Sequence, residues 1–270
     1  MTSYPYWHVD AFADRPFAGN QAAIMPLEEW LADDVMQAIG EENNFAETAF
    51  TVPDKTGEAD YELRWFTPTS EVKMCGHATL ASGHVLLQRD GADRVTFRTR
   101  DAGILEVRRA GDAYELALPT SRLEERPVPG LLEALGLDAP LFDTVEGTEQ
   151  TSIILLQDEA AVRAAAPDMR ALEKIDRMAI CTAPGDKTDI VSRVFVPAWG
   201  VPEDSVTGSA HAALARFWAE RLGQTRFTAH QASTRGGTLT MQMDGGPGAG
   251  RVWLGGPCVT VVEGRFVLPD

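Results

Sequence analysis

The sequence predicts an α+β fold of two similar halves, each a curved, mostly antiparallel sheet wrapped round one buried helix. Three observations predict it. Short alternating strands dominate both halves of the 270 residues. Two segments, Gly76 to Leu87 and Gly208 to Ala219, break that rhythm; each is rich in Ala and Leu and apolar nearly all round. A helix without a polar face belongs inside something. The two stand about half a chain apart and share a lead-in: Trp65-Phe66-Thr67-Pro68 before the first, Val194-Phe195-Val196-Pro197 before the second.

The elements follow in order. Trp7 to Phe12 alternates and predicts the first strand. Residues 27–39 predict an amphipathic helix, with Leu27, Leu31, Val35 and Ile39 on one face and Gly40 as its stop. Thr48 to Val52 and Tyr61 to Phe66 read as strands, and Gly76 to Leu87 as the first buried helix. Val95 to Thr99 and Ile104 to Arg108 alternate, and Ala110-Gly111-Asp112 turns the chain into Tyr114 to Leu118. Pro119, Pro127 and Pro129 bracket a polar linker, so the expected domains are 1–120 and 121–270, with the last strand free to return to the first domain. Ser152 to Gln157 reads as an apolar strand, Ala160 to Ile175 as helical pieces broken at Pro167, and Val191 to Val196 as a strand. After the second buried helix come strands at Thr238 to Met243 and Arg251 to Leu254. A hairpin over Cys258 to Leu268, turning at Glu263-Gly264, closes the chain.

Composition excludes several functions. With 24 Lys+Arg against 40 Asp+Glu the net charge is −16, which repels nucleic acid and anionic membrane surfaces. The densest basic run, Arg94 to Arg109, is interrupted by acids and reads as strand surface facing water. No run of about 18 apolar residues exists to cross a membrane, and Met1 to Pro5 shows no signal-peptide pattern. Three cysteines, Cys75, Cys181 and Cys258, make no disulfide framework and point to a reducing cytoplasm. The five histidines form no zinc motif, and no Gly-rich nucleotide loop is present, so neither a metal nor a cofactor is expected.

Chemistry concentrates at the starts of the two buried helices. A helix N-terminus offers unpaired N–H groups and about half a positive charge, and Gly76 and Gly208 let a ligand approach the backbone. Two such N-termini opening on a common cleft would hold a carboxylate or an enolate-like anion. Glu47, framed by Phe45, Ala46, Ala49 and Phe50, is the first proton-transfer residue considered. Burial would raise its pKa towards neutrality; the plainer reading is a strand-edge glutamate facing solvent. Asp204 precedes the second helix, where a cap is the plainer role. His77 opens the first helix, either as a neutral hydrogen-bonding ring or as a satisfied structural histidine. His84 and His211 lie deeper in the helices and read as core. Cys75 stands at a helix N-terminus, which would lower its pKa, but its counterpart is Thr207, so a two-thiol racemase lacks its second cysteine.

These residues fall in motifs that resemble the PhzF family, the phenazine-biosynthesis-like isomerases. Asp10-Ala11-Phe12-Ala13-Asp14-Arg15-Pro16-Phe17-Ala18-Gly19-Asn20-Gln21-Ala22-Ala23 is similar to its opening motif. Asn44 to Phe50, Arg64 to Thr79 and Glu203 to His211 are similar to the next three, in family order. The resemblance implies two barrel-like domains around central helices, as in diaminopimelate epimerase. It also implies catalytic roles for Glu47, His77 and Asp204, and substrate binding by Asn20, Gly76, Gly208 and Ser209. Ser205 departs from the proline common in the family, which bears on the loop's rigidity. The family's phenazine enzyme isomerises trans-2,3-dihydro-3-hydroxyanthranilate without a cofactor, a glutamate moving a proton between ring carbons.

The expected function is a cofactor-independent isomerase acting on a small, carboxylate-bearing, anionic metabolite, working as a homodimer without nucleic-acid or membrane partners. Two alternatives are a thiol-dependent amino-acid epimerase using Cys75 and a non-catalytic small-molecule binder of the same fold.

Overall fold

The structure, a computed structural model, describes residues 1–147 and 149–268. Two compact units divide the chain: Met1–Ala117 with Gly255–Asp270, and Leu118–Leu254.

The first unit opens with β1 (Thr2–Ala11) and β2 (Asn20–Pro26), followed by α1 (Asp33–Asn43). Then come β3 (Glu47–Pro53), β4 (Tyr61–Phe66), the short β5 (Glu71–Val72), and α2 (Gly76–Asp90). β6 (Arg94–Arg98), β7 (Ile104–Ala110) and β8 (Ala113–Pro119) end the run. β1 pairs antiparallel with β2, β2 parallel with β3, and β3 antiparallel with β4. β4 then holds β5 antiparallel at one end and β6 parallel at the other. The sheet is therefore mixed rather than purely antiparallel. It curves round α2, which packs on β1, β2, β3, β6 and β7. Every residue from Gly76 to Leu87 is buried, as an all-apolar helix requires. Gly83 is what lets β7 come so close: a Cβ there would lie 2.4 Å from Val107 Cγ1.

The second unit repeats this plan. β9 (Arg122–Glu125), α3 (Leu131–Leu135), β10 (Leu141–Glu146) and β11 (Thr151–Leu155) lead in. α4 (Glu159–Ala164), α5 (Met169–Leu172), β12 (Met178–Pro184), β13 (Ile190–Val196) and β14 (Val201–Asp204) follow. α6 (Gly208–Leu222), β15 (Arg226–Gln231), β16 (Gly237–Met243) and β17 (Arg251–Gly256) complete it. β11 pairs parallel with β12, β12 antiparallel with β13, and β13 takes β14 antiparallel and β15 parallel. That is the β2–β3–β4–β5–β6 pattern over again, with α6 in the place of α2.

Three sequence expectations change. The first helix runs Asp33–Asn43, not 27–39, and Gly40 sits inside it. A Cβ at Gly40 would lie 3.1 Å from the Thr67 carbonyl oxygen, so this glycine serves close packing. Asn44, left-handed at φ 50, ends the helix and returns its N–H to the Gly40 carbonyl. Cys258–Leu268 is one strand, β18, and not a hairpin. It pairs antiparallel with β1 from Thr2↔Leu268 to Ala11↔Cys258. That partner overrides the turn preference of Glu263-Gly264 and extends β1 back to Thr2. The proline-bracketed stretch is not all linker, since it holds β9 and leads into α3.

Among the described residues, no helix is long and apolar enough to cross a membrane. His84 and His211 are buried, at 3% and 0% exposure. His211 donates from Nδ1 to the Thr207 carbonyl at 2.7 Å. Burial, partly offset by that bond, pushes its pKa down from 6.5 to about 4. The folded state therefore resists a proton that the unfolded chain accepts. Stability is full above about pH 6.5 and falls as pH drops towards 4, by up to about 3 kcal/mol from this residue. Thermal melts between pH 7 and pH 4 should show the fall, and His211→Gln should make it shallower, leaving the share of His84, whose pKa burial also pushes down to about 4. An equally steep fall in the variant would remove His211 as a source.

Candidate active site

In the first unit, the left-handed turn at Asn44 delivers the chain into β3, whose first residue is Glu47. Register with β2 sets Glu47 opposite Ala22, next to the start of α2. There His77 Nε2 lies 3.0 Å from Glu47 Oε2, the side chains being 5% and 17% exposed. The ring is sealed and the carboxylate keeps an open side. Oε2 is buried and no hydrogen bond satisfies it. On the other side of the ring, Asn20 Nδ2 lies 3.1 Å from His77 Nδ1. With Nδ1 accepting from Asn20, the ring hydrogen sits on Nε2, on the Glu47 side of the ring.

Burial disfavours a charged His77, while the Glu47 carboxylate beside it opposes burial and raises its pKa. A doubly protonated ring would also carry hydrogen on Nδ1, and Asn20 would then have to present its oxygen. Cys75 Sγ is 3.5 Å from Nδ1. Its helix-start position predicts a lowered pKa, and the structure reverses that. Burial, with the Glu47 charge, pushes the thiol up to about 12. Near neutral pH Cys75 is a thiol.

Donor atoms of Glu47, Cys75 and His77 lie within 4.8 Å of one another, so the cluster has the ligand types of a metal site. Its thiol would have to lose a proton it holds strongly, which opposes metal capture. Only Cys-x-His was visible in sequence, and Glu47 joins through the fold.

In the second unit, Asp204 ends β14 and does not cap α6: Thr207 is the N-cap, without a side-chain bond. Asp204 instead organises its own loop. Oδ1 accepts from the Ser205 N–H at 2.8 Å and Oδ2 from the Thr207 hydroxyl at 2.5 Å. Gln231, fully buried on β15, ties this loop down. Its Oε1 accepts from the Thr207 N–H, and its Nε2 donates to the Asp204 carbonyl, each at 2.8 Å. Sequence reasoning missed Gln231, because a glutamine in an alternating strand carries no local signal. Gly208 and Ser209 open α6 as Gly76 and His77 open α2. Neither Gly76 nor Gly208 has positive φ, so a Cβ at either would meet no backbone strain. Glu149, before β11, is a second residue the sequence left unmarked. Burial raises its pKa, the Ser209 hydroxyl opposes that, and the Asp204 charge adds to it.

The sequence profile of the family described as phenazine biosynthesis-like protein matches residues 9–264. An uncharacterised isomerase of Pseudomonas aeruginosa is 44% identical over 267 residues, covering 97% of this chain and 98% of the relative. The crystal structure of a PhzF-family phenazine biosynthesis protein from Enterococcus faecalis is 41% identical. It superposes with a TM-score of 0.89 over 99% of this chain and 100% of that one. A hydroxyproline epimerase from Agrobacterium vitis, at 11% identity, gives a TM-score of 0.65 over 99% of this chain and 93% of that one, a likeness of fold alone.

Proposed function

The chain belongs to the phenazine biosynthesis-like (PhzF) family and is an isomerase, and from that premise we propose that it moves a proton on a small carboxylate-bearing metabolite without a cofactor, Glu47 being the acid/base. The observation that carries the reading is the Glu47 carboxylate itself: one oxygen buried, without a hydrogen bond, and 3.0 Å from the His77 ring nitrogen. A base that takes a proton from carbon works best when no stronger donor occupies its lone pair. His77 holds the carboxylate's charge and Asn20 fixes the ring. When Glu47 takes the proton it becomes neutral.

Asp204 shapes the 204–207 loop; in the first unit Gly76 offers helix-start N–H groups for an anionic group, and in the second Gly208 and Ser209 do. The carboxylate-bearing substrate, the homodimer and a cytoplasmic setting belong to this proposal. A Cys75 base is the weaker reading, because its thiol is pushed up to about 12 and Thr207 stands at the matching place.

Activity is expected to survive EDTA and dialysis. A chelated sample that loses turnover and regains it with a divalent ion would overturn the cofactor-free reading.

A further inference from the structure

The lead-in shared by the two buried helices extends beyond its aromatic residue and proline. Arg64-Trp65-Phe66-Thr67-Pro68 precedes α2 and Arg193-Val194-Phe195-Val196-Pro197 precedes α6, so both read Arg-x-Phe-x-Pro. The two arginines are bound alike. Arg64 Nε and Nη2 donate to Glu71 Oε1 and Oε2 at 2.7 and 2.8 Å. Arg193 Nε and Nη2 donate to Glu203 Oε1 and Oε2 at 2.7 and 2.9 Å. Each guanidinium also lies over the phenylalanine two residues on, 5.1 Å from the Phe66 ring and 4.9 Å from the Phe195 ring. Nη1 reaches an outer helix in both units. Arg64 donates to Asp33 Oδ1 at the start of α1, at 2.8 Å, and Arg193 to the Ala165 carbonyl just past α4, at 2.6 Å.

Strand register makes the two forks equivalent. Phe66 pairs with Glu71 and Trp65 with Val72, as Phe195 pairs with Glu203 and Val194 with Asp204. Gly76 opens α2 four residues after Val72, and Gly208 opens α6 four residues after Asp204. Each fork therefore ties a central strand to the segment that feeds a buried helix. In the first unit this tie matters more. β5 is only two residues long, and α2 begins without a side-chain cap. In the second unit Asp204 and Gln231 add hydrogen bonds of their own to the entry loop. Val72, at the place of Asp204, has no polar side-chain atom with which to do so. The Arg64 side chain is 3% exposed and Glu71 30%, so water competes little for the fork. A planar guanidinium matched to a carboxylate fixes direction as well as distance.

We propose that Arg64 is a positioning residue: its fork with Glu71 sets where α2 begins and so holds the His77 ring beside Glu47. The inference rests on the reading of Glu47 as the base and deepens it by naming what places the neighbouring ring. β4, which carries Arg64, is paired with β3, which carries Glu47. The fork continues that link to the entry of α2, whose second residue is His77. The ring nitrogen then stands 3.0 Å from Glu47 Oε2. A buried ion pair adds little net stability over apolar residues of the same size, so placement is what this one supplies. Misplacing a reacting group by about 1 Å costs about 10²-fold in rate.

The test compares Arg64→Lys and Glu71→Gln with Gly91→Ala, all in the whole protein. Lysine keeps the charge and loses the fork; glutamine keeps the shape and leaves one acceptor oxygen. Gly91→Ala strains the far end of α2, where Gly91 has φ +69, and does not touch the fork. Two quantities are read: the His77 ring signals by NMR at one fixed pH, and deuterium labelling of a carboxylic acid that the wild type labels. Both fork variants should shift the ring signals and slow labelling by about 10–100-fold. Gly91→Ala should melt lower than the wild type and do neither. Should Arg64→Lys fail to fold, Glu71→Gln decides alone. Wild-type ring signals or wild-type labelling in the folded fork variants overturns the proposal. So does Gly91→Ala reproducing both changes, since loss of stability would then explain them. The ring signals need no turnover, so they report on the fork even where Glu47→Gln shows that Glu47 is not the base.

Discussion

Glu47→Gln is expected to lower turnover by about 10²–10⁴-fold, the usual worth of a general acid/base, while the protein melts as the wild type does. The amide matches the carboxylate in shape and can still meet the His77 ring, 3.0 Å away in the native protein. What it lacks is basicity. The assay is deuterium uptake from D₂O into a carboxylic acid that the wild-type enzyme labels. Labelling at the wild-type rate in the variant would remove Glu47 from the mechanism. A second readout tests the geometry directly. Glu47 helps hold the His77 pKa above 6.5, against burial. Removing its charge should drop that pKa, and NMR titration of the ring should show it. A His77 titration unchanged by the substitution would break the link between the two side chains.

The second large effect is on stability. Gly19→Ala should cost about 2–5 kcal/mol, combining left-handed backbone strain with a contact that cannot relax cheaply. Gly19 has φ +63, and a Cβ there would lie 2.1 Å from the Ala11 carbonyl oxygen and 2.8 Å from the Ala13 Cβ. The first of these is backbone, in the strand paired with β2, so the loop between β1 and β2 must move. A fall in melting temperature of roughly 10 °C follows for a protein of this size. Asn20, the next residue, would move with it and loosen its 3.1 Å contact with His77. Gly91→Ala is the control. Its φ is +69 but nothing lies within 4 Å, so only the conformational cost, about 1–2 kcal/mol, remains. Equal losses in the two variants would show that the close approach at Gly19 contributes nothing.

Some of this was legible because it is local. The two apolar helices announce themselves by composition, and their burial is complete from Gly76 to Leu87. Strand alternation located most of the sheet, and Pro167 separates α4 from α5 as its missing N–H requires. His84 and His211 read as core residues and are buried. Where local preference competed with a distant partner, the partner won. Gly40 looked like a helix stop but gives Thr67 room to approach. Glu263-Gly264 looked like a turn but pairs with Trp7 and Tyr6.

By itself, then, the sequence determined the repeat, the two helices, and the residue types at their starts, since each depends on neighbours a few positions away. Only the tertiary structure decided their chemistry. A helix start predicts a reactive Cys75 thiol, yet burial outweighs the helix dipole and pushes it up to about 12. Glu47 meets His77, and Gln231 ties down the Asp204 loop. Each is a contact between residues distant in the chain. Charge, burial and hydrogen bonding act through space over a few ångströms, and only the folded sheets set those distances.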